Sequence, residues 1–231
     1  MLRAIILDFN GVILNDEPLH FRAMHDALAE LGIALSRDEY WGKYLPLDDV
    51  NCVKAICDDK GVRLIPSQRR SLLIRKAGLY RGLLQGHYPL FPGAAQFVRR
   101  MAESFPLALA SGARREEIEN ALLAAGLNSC FSVIVAAEDF KHGKPHPESF
   151  LLALSRLNSS LNGKSSPIHP EESLVVEDSM GGVVGARAAG MMCMAVTNSY
   201  PREKLHAANL IVASLQDVDA DCLRRLFEER P

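Results

Sequence analysis

Six short runs of the chain are apolar at nearly every position: Ala4-Ile5-Ile6-Leu7, Pro106-Leu107-Ala108-Leu109-Ala110, Val133-Ile134-Val135-Ala136, Leu174-Val175-Val176, Cys193-Met194-Ala195-Val196 and Leu210-Ile211-Val212-Ala213. Runs this short, without polar alternation, predict strands buried on both faces. Between them, helical spacing of apolar positions predicts helices over Arg114 to Ala125 (closed by Gly126), Pro147 to Leu157 and, briefly, Gly185 to Ala189, with one more near the end of the chain. Pro147 suits a first helical turn, where its missing N–H has no partner to lose. Strand and helix in alternation predict a parallel sheet with helices on both faces.

Residues 16 to 88 break that alternation. Pro18 to Leu31 (closed by Gly32), Asp38 to Lys43, Asp48 to Lys60 and Ser67 to Leu84 are amphipathic at helical spacing, and no strand-like run lies among them. The expected organisation is an α/β core made of residues 1–14 and 90–231, carrying a helical insert over 15–89. The two crossings fall near Leu14-Asn15 and near Pro89. The polar stretch 158–171 is read as a surface loop outside the chemistry.

Composition narrows the class without choosing a function. Hydrophobic residues make up 48% of the chain and the formal charge is −2, as in an ordinary globular domain. No basic block points to nucleic acid, and no apolar run is long enough to span a membrane. Met1-Leu2-Arg3 leads straight into a strand and lacks the apolar centre of a signal peptide. The five cysteines are scattered and odd in number, and Cys52 and Cys57 lack zinc-ligand spacing, so reduced thiols in a cytoplasmic protein are expected.

Polar residues gather where the apolar runs stop. Asp8 follows Leu7 and leads into Phe9-Asn10-Gly11. Ser111-Gly112 follows Ala110, and Glu177-Asp178-Ser179 follows Val176. Gly143-Lys144-Pro145 lies in the loop before Pro147. Open α/β sheets bind ligands outside the carboxyl ends of their strands, so these ends predict one crevice. Each feature has a plainer reading by itself: the acids and Ser111 as caps or turn residues, Lys144 as a solvated loop cation. Their succession along one chain outweighs those readings.

That succession resembles the haloacid dehalogenase superfamily of phosphotransferases, and within it the β-phosphoglucomutase-like branch. The resemblance covers essentially the whole chain. It rests on Asp8-Phe9-Asn10-Gly11-Val12-Ile13 followed by Asp16-Glu17-Pro18-Leu19-His20, on the three later motifs, and on a helical insert in the gap after the first. It implies a Rossmann-like core with an inserted α-helical cap, and a magnesium-dependent phosphatase of small phosphorylated metabolites. Asp8 would be the nucleophile that accepts the phosphoryl group. Ser111 and the backbone N–H of Gly112 would donate hydrogen bonds to it, and Lys144 would neutralise its charge. Mg2+ would be held by Asp8, the main-chain carbonyl of Asn10 and Asp178, with Glu177 as a second or outer acid. No nucleic-acid or membrane partner is implied, and a monomer is expected.

Asn10 departs from the pattern. Phosphatases and mutases of the family carry an aspartic acid here, which protonates the leaving group and then activates water or a second hydroxyl. A neutral amide cannot exchange that proton, so turnover is expected to be impaired. In the cap, the resemblance places His20, Leu45 and Asp48 near the substrate. His20 also has the plain reading of a structural histidine on an amphipathic helix. The stretch Tyr44-Leu45-Pro46-Leu47-Asp48-Asp49 offers two acids and no arginine, although Lys43 is close in sequence. A mutase holding a bisphosphate needs a cation there, so phosphatase is the leading reading. A sugar-phosphate mutase and a phosphate-ester binding protein weakened in catalysis are the alternatives. Dehalogenase chemistry needs no metal, and Glu177-Asp178 weighs against it. His142 and His146, either side of Lys144, have no spacing that requires a metal.

Overall fold

The computed structural model describes residues 1–45, 47–161 and 166–228; Pro46 of the cap stretch and residues 162–165 of the polar loop lie outside the described residues. All six expected strands are present: β1 (Ala4–Leu7), β2 (Leu107–Ala110), β3 (Val133–Val135), β4 (Ser173–Glu177), β5 (Met192–Val196) and β6 (Leu210–Val212). They form one parallel sheet in the order β3-β2-β1-β4-β5-β6. The chain winds outward from β1 through β2 to β3, then returns to the other side of β1 for β4, β5 and β6. The reversal point lies between β1 and β4, where a doubly wound sheet opens a crevice at its carboxyl end.

Nine α-helices follow from the described residues: α1 (Glu17–Ala29), α2 (Arg37–Glu39), α3 (Asp49–Asp59), α4 (Pro66–Leu84), α5 (Ala94–Ser104), α6 (Arg115–Ala124), α7 (Glu148–Ser160), α8 (Met180–Ala188) and α9 (Ala220–Glu228). Side chains alternate across the sheet with period two. Ile5, Leu7, Leu107, Leu109, Leu174 and Val176 pack with Phe97 and Met101 of α5, Ile118 and Leu122 of α6, and Leu223 of α9. Ala4, Ile6, Ala108, Ala110 and Val175 pack on the other face with Phe150, Ala153 and Leu157 of α7 and Val183 and Ala186 of α8. Strands buried on both faces are why their sequences show no polar alternation.

The elements differ from the sequence reading in four places, one of them the polar stretch 158–171, whose first three residues belong to α7. Helix α5 was not expected. Helix α8 starts at Met180, directly after the acidic pair, and not near Gly185; Ser179 accepts the Gly182 N–H at 3.0 Å as its N-cap. Its glycines disguise it, because glycine is a weak helix former. The stretch Asp38 to Lys43 is broken into α2 and a π-helical turn over Tyr40–Tyr44.

The chain divides into two compact units, Met1–Asn15 with Tyr88–Pro231, and Asp16–His87. The second has its own apolar centre, with Met24 and Leu28 of α1, Val53 and Ile56 of α3 and Leu72 of α4 buried. Beside it runs a polar network. The Lys76 ammonium is 2.7 Å from His20 Nδ1 and donates to Asp49 Oδ2 at 2.9 Å, while Tyr80 donates to Asp16 Oδ2 at 2.6 Å. All five cysteines are free thiols. Among the described residues, no helix is long and apolar enough to cross a membrane.

Candidate active site

Register places the candidate residues before any side-chain contact is considered. Leu7 pairs with Leu109 on one side and Val176 on the other. Asp8, Ser111 and Asp178 therefore leave three neighbouring strands within two residues of the same level. Asp8 is anchored by its own N–H, which donates to the Val176 carbonyl at 2.9 Å.

Lys144 reaches these ends from the loop before α7. Its Nζ lies 2.9 Å from Asp8 Oδ1 and 2.5 Å from Glu177 Oε1. The other Glu177 oxygen accepts the N–H of Asp178 at 2.9 Å and the N–H and hydroxyl of Ser179 at 3.0 and 2.9 Å. Glu177 is fully buried, and its carboxylate is engaged on both sides by the lysine and the turn. Gly182 makes room for it, since a Cβ at that position would fall 1.8 Å from Glu177 Cδ.

Burial and crowding set the charges. Asp8 is raised to about 6, by burial first and then by Glu177, with Lys144 pulling the other way. Asp178 is pushed well above the usual carboxylate range by burial and by the charges of Glu177 and Asp8. Burial also raises Glu177, but Lys144 and the Ser179 donors outweigh it and hold it below its ordinary value. Burial opposes the charge on Lys144, yet Asp8 and Glu177 keep it protonated. Three carboxylates thus gather around one ammonium in a buried cluster. Ligand oxygens of Asp8, Glu177 and Asp178 lie within 4.8 Å of one another. An all-oxygen donor set with surplus negative charge suits a hard divalent cation such as magnesium. With Glu177 committed to protein donors, Asp8 and Asp178 are the more open acids.

The remaining expected residues fall in two groups. Asn10 sits in the turn after β1, where it bridges to Leu14. The buried hydroxyl of Ser111 accepts the Ala113 N–H at 3.1 Å, which leaves its proton to donate. Gly112 is exposed at the same strand end. His20, Leu45 and Asp48 belong to the helical unit. His20 is stacked on Tyr80 at 4.2 Å and lies 3.1 Å from Asp16 Oδ2. Leu45 packs on the apolar centre, and Asp48 is the N-cap of α3, accepting from Val50 and Asn51. Lys43 is engaged by Asp59 at 3.1 Å.

Two partners escaped the sequence reading. Ser199 donates to Asp178 Oδ2, and Asn198 Nδ2 donates to the Gly11 carbonyl at 2.7 Å. Both follow the carboxyl end of β5, so the rule that found Asp8 and Asp178 would have found them. Gly11 itself is required by geometry. Its φ is +76° and a Cβ there would lie 1.9 Å from Asp178 Oδ2. Gly11→Ala is expected to cost about 1–3 kcal/mol in backbone strain, before any displacement of Asp178. At about 2–4 °C per kcal/mol for a chain of this size, calorimetric melting should show the loss.

A family model described as haloacid dehalogenase-like hydrolase matches residues 2–190. The chain is 31% identical over 231 aligned positions to the chloroplastic 5-amino-6-(5-phospho-D-ribitylamino)uracil phosphatase of Arabidopsis thaliana, covering 96% of this chain and 57% of that one. It is 29% identical over 195 positions to the fructose-1-phosphate phosphatase of Escherichia coli (strain K12), covering 81% and 92%. It spans 57% or less of the length of four of the curated relatives it matches. In fold it is similar to β-phosphoglucomutase from Clostridium difficile, with a TM-score of 0.81 at 21% identity over 99% of this chain and 98% of that one.

Proposed function

Because the chain belongs to the haloacid dehalogenase-like hydrolases, we propose that it is a magnesium-dependent phosphatase of small phosphorylated metabolites whose turnover is limited by Asn10. The observation that carries this is Lys144, shared between Asp8 and Glu177 beside a third buried acid, Asp178. A lysine so placed lowers the repulsion between the Asp8 carboxylate and an incoming phosphate.

In this reading an Asp8 oxygen attacks phosphorus and the bond from phosphorus to the ester oxygen breaks. The product alcohol leaves and an aspartyl-phosphate remains on Asp8. Ser111 and the Gly112 N–H donate to the phosphoryl oxygens. Water then attacks phosphorus, releasing inorganic phosphate and restoring the Asp8 carboxylate. Both halves need a proton moved, to the leaving oxygen and then from water, and Asn10 can only hydrogen-bond at those moments. Asp8, the Asn10 carbonyl and Asp178 would hold magnesium, with Glu177 beside them. When bound it would neutralise charge on the phosphoryl oxygens.

The two relatives above act, by their names, on fructose 1-phosphate and on a phospho-ribitylamino compound. Both are phosphate esters on polyol chains, and this is the class to screen first. Hydrolysis of p-nitrophenyl phosphate with and without magnesium tests the reaction itself; a rate indifferent to magnesium would sink this reading.

Asp178→Asn gives a second test, independent of turnover. A carboxyl whose pKa is raised on folding stabilises the fold below its unfolded pKa, about 3.9, and loses that contribution as pH rises through the higher folded value. Near neutral pH without metal, the buried Asp178 charge is therefore a cost. Asp178→Asn is expected to melt a few degrees higher than the parent at pH 8, with the gain shrinking toward pH 4. Magnesium should raise the melting temperature of the parent only, and calorimetry should show its binding lost in the variant.

A further inference from the structure

We propose that His142, His146 and Glu148 form a second cation site, outside the carboxylate pocket, that takes a borderline transition-metal ion of the zinc type. The spacing of the two histidines did not require a metal. The fold supplies the third ligand, because the turn through Gly143 and Pro145 brings both imidazoles back over the first residue of α7. His142 Nδ1 lies 2.8 Å from Glu148 Oε2, and His146 Nδ1 lies 3.9 Å from the same oxygen. The two rings are 4.8 Å apart, centroid to centroid. One ligand atom from each of the three residues can be chosen so that all lie within 4.8 Å of one another. Atoms bound tetrahedrally to zinc at about 2.0–2.1 Å are separated by roughly 3.3 Å, so small side-chain rotations would close the site.

The carboxylate is already held in place. Glu148 accepts the backbone N–H groups of Lys141 and His142, each at 3.0 Å. Both histidines are exposed, so ions can reach them and water can fill the remaining positions. Donor chemistry separates this trio from the buried carboxylate cluster. Two imidazoles and one carboxylate suit zinc, cobalt, nickel or copper, whereas the all-oxygen set of Asp8, Glu177 and Asp178 suits magnesium. The trio brackets Lys144, so an ion bound there would tie both sides of the lysine turn to the head of α7. A transition metal would then stiffen the loop that delivers the cation to Asp8.

Calorimetric titration with zinc, in excess magnesium, tests the proposal on the intact chain. Four proteins are compared: the parent, His142→Ala, His146→Ala and His206→Ala, the last an exposed histidine far along the chain as a control. Removing either site histidine is expected to weaken one zinc-binding event at least about tenfold, since even outer partners of metal ligands are worth that much. The control should match the parent, and the magnesium isotherm should be unchanged in all four. Cobalt(II) provides a spectroscopic check, with a visible absorption band in the parent that is lost in both site variants. Absence of zinc binding to the parent, or equal zinc affinity in the parent and both site variants, would overturn the proposal.

Discussion

Asn10→Asp is expected to raise the rate of p-nitrophenyl phosphate hydrolysis by about 10²–10⁴-fold, the usual worth of a positioned acid–base group. Lys144 touches Asp8 and Glu177, and Ser111 follows the neighbouring strand β2. What the chain lacks is a group that can both give and take a proton two residues beyond Asp8. Magnesium affinity should change little, because the ligand proposed at this position is the backbone carbonyl. One trap is chemical. Asn10 precedes Gly11, an arrangement prone to deamidation, so an aged sample can contain aspartate here and show a trace of activity. Peptide mass mapping of the assayed sample detects it. No gain from Asn10→Asp, together with activity lost on removing Asp16 or Glu17, would mean that one of those acids already supplies the proton. If none of these changes alters the rate on any phosphate ester, the acid–base argument fails and the reading as a phosphate-ester binding protein replaces it.

Asp8→Asn should abolish hydrolysis, by on the order of 10⁴ or more, whether it is made in the parent chain or on top of Asn10→Asp. The substitution keeps the size of the side chain and removes its charge, so the loss reports nucleophilicity more than packing. The Lys144–Glu177 pair should survive it, and the melting temperature should not fall by more than a few degrees. The parent chain offers a direct view of the intermediate. With Asn10 unable to activate water, an aspartyl-phosphate formed on Asp8 should outlast that of the Asn10→Asp variant. Acid quenching and peptide mapping should place a phosphoryl group on the Asp8 peptide, and hydroxylamine, which cleaves acyl phosphates, should remove it. Activity retained in Asp8→Asn, or a label on another residue, would rule out Asp8 as the nucleophile.

Much of this arrangement could be read along the chain, for a physical reason. A strand buried on both faces is apolar along its middle, so Ala4–Leu7, Leu107–Ala110 and the run Leu174-Val175-Val176 stand out, and the polar residues that follow each run mark its carboxyl end. Asp8, Ser111 and Asp178 were found in that way. The helical insert was visible because its stretches carry the 3.6-residue period and no strand-like run. The first turn of helix α8 is hidden in the sequence because Gly181 and Gly182 suppress helical signals, yet Gly182 is there to admit the Glu177 side chain.

What pairs with what was not written locally. Glu177 and Asp178 are adjacent acids at one strand end, and no periodicity distinguishes them. Packing does: one is locked by Lys144 and Ser179, the other is left against Gly11 and Ser199. Lys144 reads as a solvated loop lysine until the turn before α7 carries it onto Asp8, at the far end of the sequence from it, and the same turn brings His142 and His146 to Glu148. Charge and burial act through space, and the partners of Lys144, Asp8 and Glu177, are separated from it by whole strand–helix units. Local sequence therefore specified the elements and their polar ends, while the sheet order and its turns decided which of those polar groups meet and which charge each one carries.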